Sequence, residues 1–426
     1  MRFPLSWEIN MKVFKFGGAS VKDANGVRNL AAILQKIGYS NTLVVVSAMG
    51  KTTNALELVI KNYFENKLET QSALQEVKTF HNQITLELFT NKRHPIFKAI
   101  NTLFSELDTF LKTNKSPDYN FVYDQVIGFG ELISTTIISH YLHEIGLRNQ
   151  WIDVREFIKT DNYYRNANVD WDSTQHQINS NFKKDVLNIT QGFLGSDANN
   201  FTTTLGREGS DYTAAIFAYC LNATNVTIWK DVQGVLNADP RYFENAQLLH
   251  QISYREAIEL AFYGASVIHP KTLQPLQRKE IPLYVKSFIN PESQGTCVSK
   301  GKTIDPEIPC FIVKKNQVLI ALSSLDFSYI VEENISEIFN LLHLYKMKVG
   351  LIQNSAISFS VCLENTYNNL DKLLQHLKAK FNVTCYENVS LYTIRHFTEE
   401  AISNLEKDKT ILLKQLTQNT VQMVTQ

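Results

Sequence analysis

Residues 12–16 alternate into a strand that stops on Gly17-Gly18; helical spacing then runs from Ala24 to Lys36, and 41–46 closes the unit with the apolar run Leu-Val-Val-Val. A strand that is apolar on both faces cannot border water, and a strand–helix–strand crossover lays its two strands parallel. This opening therefore commits the chain to an α/β fold, a mainly parallel sheet sandwiched by helices. The same rhythm returns from residue 120. A helix spans about Glu131 to Glu144, strands lie near Gln150–Asp153 and Val186–Thr190, and a helix starts at Asp211. A strand at Asn225–Trp229, a helix at Tyr254–Tyr263 and a strand at Pro282–Ser287 close a domain of residues 11–298. Between the two stretches, 55–115 reads as a helical insertion, with long 3.6-residue periodicity broken near His94-Pro95.

Residues 299–309 are charged, carry Pro and Gly and show no pattern, as expected of a linker. After them the elements shorten. Strand 318–323, helix 335–345, strands 348–353 and 356–363, helix 370–381 and strand 383–386 make a ferredoxin-like βαββαβ module over 310–388. Residues 389–426 begin a second module, with a strand at 389–396, and end before its last helix and strand, so it is expected to be abbreviated.

Forty-two Lys and Arg against 42 Asp and Glu leave no net charge, so nothing global favours nucleic acid or an anionic membrane as partner. The five cysteines form no C-x-x-C pair, which fits a reducing, cytoplasmic setting, and no run reaches the roughly 20 apolar residues of a spanning helix. Residues 1–10 have no pattern of their own, and Met11 is the expected start.

Chemistry concentrates in short polar runs at strand ends. Gly-Arg-Glu-Gly-Ser-Asp-Tyr-Thr (206–213) sits between a threonine cluster and an apolar helix, with the guanidinium, hydroxyl and carboxylate needed to hold anions beside a metal. Lys15 precedes Gly17-Gly18, where bare amides can approach phosphate and an ammonium can meet phosphoryl oxygens in flight. Glu131 follows Gly128-Phe129-Gly130 in a first helical turn, and Asp231 follows a strand end, with Asp239-Pro240-Arg241 beyond it. Ala-Met-Gly-Lys-Thr-Thr (48–53) imitates the end of a P-loop. The glycine required five places before Gly50 is Val45, so the diphosphate cradle is not there, although Ser47, Ala48 and Thr53 remain able to line a small anion site. His140 and His143, three apart on a helix, read as structural.

Lys-Phe-Gly-Gly-Ala-Ser-Val (15–21), Val-Ser-Ala-Met-Gly-Lys-Thr-Thr-Asn (46–54), Gly130-Glu131, residues 202–214, Trp-Lys-Asp-Val-Gln-Gly-Val (229–235) and Tyr-Gly-Ala-Ser-Val-Ile-His-Pro (263–270) occur in the order seen in aspartate kinases. The chain resembles that family over about 11–298, and its tail resembles the family's two ACT regulatory modules. The resemblance implies an amino-acid-kinase-like fold and transfer of the ATP γ-phosphoryl group to the side-chain carboxylate of L-aspartate, the opening step toward lysine, threonine and methionine. It implies that Lys15 contacts the transferring phosphoryl group with Gly17 and Gly18 beside it, and that Asp211 organises Lys15 and the phosphates. Ser47, Ala48 and Thr53 would line the meeting point of the two substrates, Arg207 and Ser210 would hold the α-carboxylate, and Glu131 the α-ammonium. Lys230, Asp231, Leu236, Arg241 and Ser266 fall at nucleotide positions. Mg²⁺ would arrive mainly on the ATP phosphates without dedicated protein ligands, and the ACT modules would build a homodimer or larger homo-oligomer.

The bottom-up chemistry agrees: a carboxylate is already a nucleophile, so the task is to position two repelling anions and no general base is needed. Two departures stand out. Ser266 replaces a lysine common in relatives, and Lys230, where relatives often carry threonine, is expected to restore that charge. Relatives that bind lysine in the tail usually show a glycine before the first ACT helix and Thr-Ser-Glu after its second strand; here those places are Val331-Glu332-Glu333-Asn334 and Asn354-Ser355-Ala356, so the lysine site reads as degenerate. Glu208, where relatives often have glycine, has no role in this scheme. Two other readings are a related kinase acting on glutamate, N-acetylglutamate or a nucleotide, and a non-catalytic ACT sensor; the helical insertion and the ACT tail oppose the first, and Lys15, Arg207 and Asp211 the second.

Overall fold

The computed structural model describes residues 10–265, 268–326 and 328–426. They form two units, one of residues 10–235, Leu248–Ile258 and Ile268–Thr303, the other of Leu236–Gln247, residues 259–265 and Ile304–Gln426.

The first unit opens with β1 (Lys12–Phe16), α1 (Ala24–Ile37) and β2 (Thr42–Val46), β2 buried at every residue as its composition demands. The insertion follows as α2 (Thr52–Glu65), α3 (Lys67–Leu88) and α4 (Pro95–Thr113). His94 and Pro95 mark its break because Pro95 takes the first helical position, where no N–H is needed, and His94 Nδ1 accepts from Ile96 N at 3.2 Å. Then come α5 (Tyr119–Ile127), α6 (Phe129–Glu144), β3 (Asn149–Ile152), α7 (Val154–Phe157), α8 (Trp171–Asn181), β4 (Leu187–Gln191), β5 (Leu194–Ser196) and β6 (Thr202–Thr204). α9 (Gly209–Leu221), β7 (Asn225–Lys230), β8 (Gln251–Ser253), α10 (Tyr254–Tyr263), α11 (Pro270–Arg278), β9 (Leu283–Ser287) and β10 (Thr296–Ser299) complete the series.

Strands of this unit run in the order β8-β10-β9-β7-β1-β2-β4-β3, parallel between neighbours except β9 and β10. β1 lies between β2, which follows it in sequence, and β7, which the chain reaches much later. Connections leaving neighbouring strands to opposite sides open a crevice at the carboxyl ends of the strands. Lys15, Ser47 and Lys230 all stand at that edge.

The second unit contains β11 (Ile304–Asp305), β12 (Cys310–Ser324), α12 (Glu332–Leu344), β13 (Lys348–Asn354), β14 (Ser358–Glu364), α13 (Leu370–Lys378), β15 (Phe381–Arg395), α14 (Glu399–Glu406), β16 (Ile411–Leu416) and β17 (Thr420–Thr425). Its antiparallel sheet has the order β13-β14-β12-β15-β17-β16. Here the pairing differs from the division into 310–388 and 389–426. β12 and β15 pair from Ser324 opposite Phe381 to Cys310 opposite Arg395, so the strands read at 383–386 and 389–396 are one. The ladder is irregular at this point, where Asn316 (φ 56°) and Asn388 (φ 57°) lie beside register shifts at 314–319. Beyond the irregularity the ladder resumes, and residues 310–314 supply to the second module a strand that 389–426 lacks. Separate cores reflect this: Phe359, Leu373 and Phe381 in one, Ile394, Ile402 and Met423 in the other.

The two segments that read as a degenerate lysine site lie close together. Ile330 N donates to Ala356 O at 2.9 Å, and Asn334 Oδ1 is engaged by Val331 N at 3.0 Å.

Candidate active site

Two loops meet over the end of β1. Ser47 N donates to Phe16 O at 3.1 Å and Gly50 N to Gly18 O at 3.0 Å. A Cβ on Gly18 would fall 2.7 Å from Ala48 O and 2.9 Å from Gly50 O, so glycine is required by backbone approach. At Gly17 a Cβ would come 3.4 Å from Lys15 Nζ, which places the ammonium over the turn. That ammonium lies 2.6 Å from Asp211 Oδ1, with side chains 10% and 3% exposed; the contact is an ion pair without the angle of an aligned hydrogen bond.

α6 supplies the opposite wall. Gly130 sits where a Cβ would be 3.1 Å from Ala48 Cβ, so the helix start can press on the 47–53 loop. Ser134 Oγ donates to Ser47 O at 2.8 Å and fixes that loop. Glu131 is 3% exposed; Oε1 accepts a long bond from Ala48 N at 3.4 Å, while Oε2 has no hydrogen-bond partner. Burial pushes this carboxyl up to about 8, against the backbone N–H groups of Ala48 and of Glu131 itself.

The 206–211 run turns sharply into α9. Gly206 has φ 78° and Glu208 φ 54°, with Asp211 N bonded to Glu208 O at 3.0 Å. Ser210 reaches so close to Gly192 that a Cβ there would be 2.4 Å from its own. Glu208 acquires a role the sequence did not disclose: its Oε2 accepts from His269 N at 2.9 Å, at the start of α11. A carboxylate at a helix N-terminus is favoured, which offsets a left-handed backbone costing a non-glycine residue about 1–2 kcal/mol. Glu208→Ala keeps the strain and loses the bond, whereas Glu208→Gly loses the bond and the strain. In urea unfolding the alanine variant is expected to be less stable than the glycine variant by about 1 kcal/mol.

These walls enclose a cavity of about 490 Å³. Lys15, Ser47, Thr53, Glu131 and Arg207 line it, as do Ser210, Asp211 and Lys230. Ala48 contributes its amide to Glu131, and Gly17 and Gly18 form the turn beneath Lys15. Asp231 is exposed past the end of β7 and is not among the lining residues. Leu236 and Arg241 belong to the second unit, where exposed Arg241 pairs with Asp239 at 2.6 Å; Ser266 lies outside the described residues. Three lining residues were not anticipated: Tyr123, Arg165 and Phe193. They come from α5 and from loops with no signature. A larger groove of about 930 Å³ follows the open face of α4 and holds none of the expected residues.

The amino acid kinase family model matches residues 10–287. Lysine-sensitive aspartokinase 3 of Escherichia coli K12 is 31% identical over 396 residues, covering 90% of this chain and 86% of the relative. Aspartokinase 1, chloroplastic, of Arabidopsis thaliana is 30% identical over 83% of the chain, which spans 63% of that relative. E. coli aspartokinase III in complex with lysine and aspartate superposes with a TM-score of 0.82 at 30% identity, over 97% of this chain and 96% of that one. The same enzyme with aspartate and ADP gives 0.80 at 29% identity, over 97% and 96%. The chain belongs to the amino acid kinase family and, within it, to the aspartokinases.

Proposed function

We propose that the chain transfers the γ-phosphoryl group of ATP to the side-chain carboxylate of L-aspartate, giving 4-phospho-L-aspartate. The observation that carries this reading is Glu131 Oε2, a buried oxygen without a hydrogen-bond partner in a cavity whose lining also includes the cations Lys15, Arg165, Arg207 and Lys230 and the carboxylates Glu208 and Asp211. A buried carboxyl with one oxygen unpartnered, ionising against an incoming ammonium, together with several cations, fits a ligand with an ammonium at one place and anions elsewhere, as a free amino acid beside a nucleotide has. Arg207 and Ser210 take the α-carboxylate and Glu131 the α-ammonium, which leaves the β-carboxylate toward Lys15. Lys15, held by Asp211, stabilises charge on the transferring phosphoryl oxygens. Gly17 and Gly18 keep the turn thin enough for phosphate to approach, and Lys230 and Asp231 are assigned to the nucleotide side. Magnesium would be held by phosphate oxygens, with Asp211 as the neighbouring carboxylate, and would neutralise developing charge there.

A hydroxamate-trapping assay with ATP, Mg²⁺ and either L-aspartate or L-glutamate tests the reading. Turnover with aspartate and at least a hundredfold lower kcat/KM with glutamate is expected; no turnover with either sinks it. We also propose that the second unit joins copies of the chain into a homo-oligomer. Its degenerate effector segment, with Ala356 bonded to Ile330 and Asn334 spent on Val331, supports a weak response to lysine. Lysine at 1 mM is expected to leave activity within about twofold in the hydroxamate assay, since the segment 354–356 offers no carboxylate to pair its ammonium.

A further inference from the structure

Arg165 enters the cavity from the loop between α7 and α8, and its backbone is in an unusual state. Its φ is 70°, a left-handed value that a non-glycine residue adopts at a cost of about 1–2 kcal/mol. The conformation is held from one side chain: Arg165 N donates to both carboxylate oxygens of Asp124, at 3.1 and 3.0 Å. Asp124 is fully buried and also accepts from Thr204 N and Thr204 Oγ1, each at 2.8 Å. One buried carboxylate thus ties the Arg165 loop to the strand that delivers Arg207. Ala167 N bonds to Thr204 O at 2.9 Å, and a Cβ on Gly206 would strike Asn166 Oδ1 at 2.5 Å, so the loops pack as one wall.

The guanidinium of Arg165 lies 4.4 Å from the centroid of the Tyr123 ring. Tyr123 is itself oriented by donating its hydroxyl to Glu57 Oε1 at 2.9 Å. Stacking on a ring fixes the plane of the guanidinium and leaves its edge N–H groups for a ligand. Among the described residues that guanidinium forms no close ion pair, its attraction to Asp124 acting at longer range, although Arg155, Arg241 and Arg395 each form one. A strained backbone, a buried anchor and an aromatic shelf together present one unmatched fork to the cavity that also holds Arg207.

We infer that Arg165 is a second guanidinium for the α-carboxylate of the acid substrate, working with Arg207. The inference rests on the aspartate-kinase reading. The acceptor β-carboxylate belongs beside Lys15 and Asp211, whereas Arg165 is coupled through Asp124 and Thr204 to the loop of Arg207, so it serves the non-reacting end. Two forks on one carboxylate raise affinity and reject acids that lack it.

The test compares the full-length wild type with Arg165→Gly, which accepts the left-handed backbone, and Arg165→Lys, which keeps charge and loses the fork. Each is assayed with L-aspartate and with its α-amide, which retains the acceptor carboxylate. Arg165→Gly is expected to raise KM for aspartate at least tenfold and to leave kcat and KM for ATP within threefold. With the α-amide its penalty shrinks to threefold or less, and Arg165→Lys falls between. Equal penalties for the two acids, an unchanged KM for aspartate, or an effect mainly on KM for ATP overturns the assignment. If the wild type binds aspartate without turnover, the same comparison is made on Kd by calorimetry and the α-carboxylate assignment is still decided. A wild type that neither binds nor phosphorylates aspartate overturns both readings.

Discussion

Lys15→Met lowers kcat by about 10³-fold while KM for aspartate stays within a few-fold, because the lost cation acts on charge that develops in the transition state and not on the acid's anchoring end. Methionine keeps the apolar stem of the lysine and removes only the ammonium. The substitution also leaves Asp211 buried without its partner 2.6 Å away. Breaking such a pair from one side costs about 3–5 kcal/mol, since the remaining charge has lost both water and counterion. Activity and stability are therefore expected to fall together in the single variant. Lys15→Met combined with Asp211→Asn separates them. The buried charge is gone, so the urea midpoint recovers most of the loss, whereas kcat does not recover. A double variant that regains activity would mean that Lys15 served only to neutralise Asp211.

How much of this site could be read from sequence follows from where each group sits in the chain. Lys15, Arg207, Ser210 and Glu131 were legible because each lies beside glycines whose spacing has a steric cause, seen in the contacts that a Cβ on Gly18, Gly130 or Gly209 would make. Asp124 and Arg165 were not. Asp124 is one polar residue within α5, and its partners at Arg165 and Thr204 are 41 and 80 residues away, so no local pattern marks it. Glu208 was visible as an oddity, but its acceptor role depends on His269, 61 residues on. In the tail the reverse happened: 383–386 and 389–396 read as two strands in sequence, yet β15 runs through Asn388 because the β12–β15 ladder outweighs the left-handed residues Asn316 and Asn388.

Binding of aspartate is expected to strengthen about tenfold per pH unit between roughly pH 6 and 8 and to level off above that range. The cause is Glu131, whose carboxyl burial raises from 4.5 to about 8, so the free protein holds it protonated at neutral pH. An ammonium brought against Oε2 favours the carboxylate, hence binding expels a proton wherever the free group still carries one. The sign for folding runs the other way. Between 4.5 and 8 the folded chain binds a proton that the unfolded chain has released, so without ligand stability falls as pH rises through this window. Asp124, raised to about 6 by burial, titrates lower and remains in every variant tested. Calorimetry of aspartate binding at pH 7 in buffers of different ionisation enthalpy should register release of nearly one proton. Glu131→Gln, which cannot titrate, should bind aspartate more weakly at pH 8 and with a flat pH profile. A wild-type Kd that does not change between pH 6 and 8 would mean that Glu131 is not the ammonium's partner.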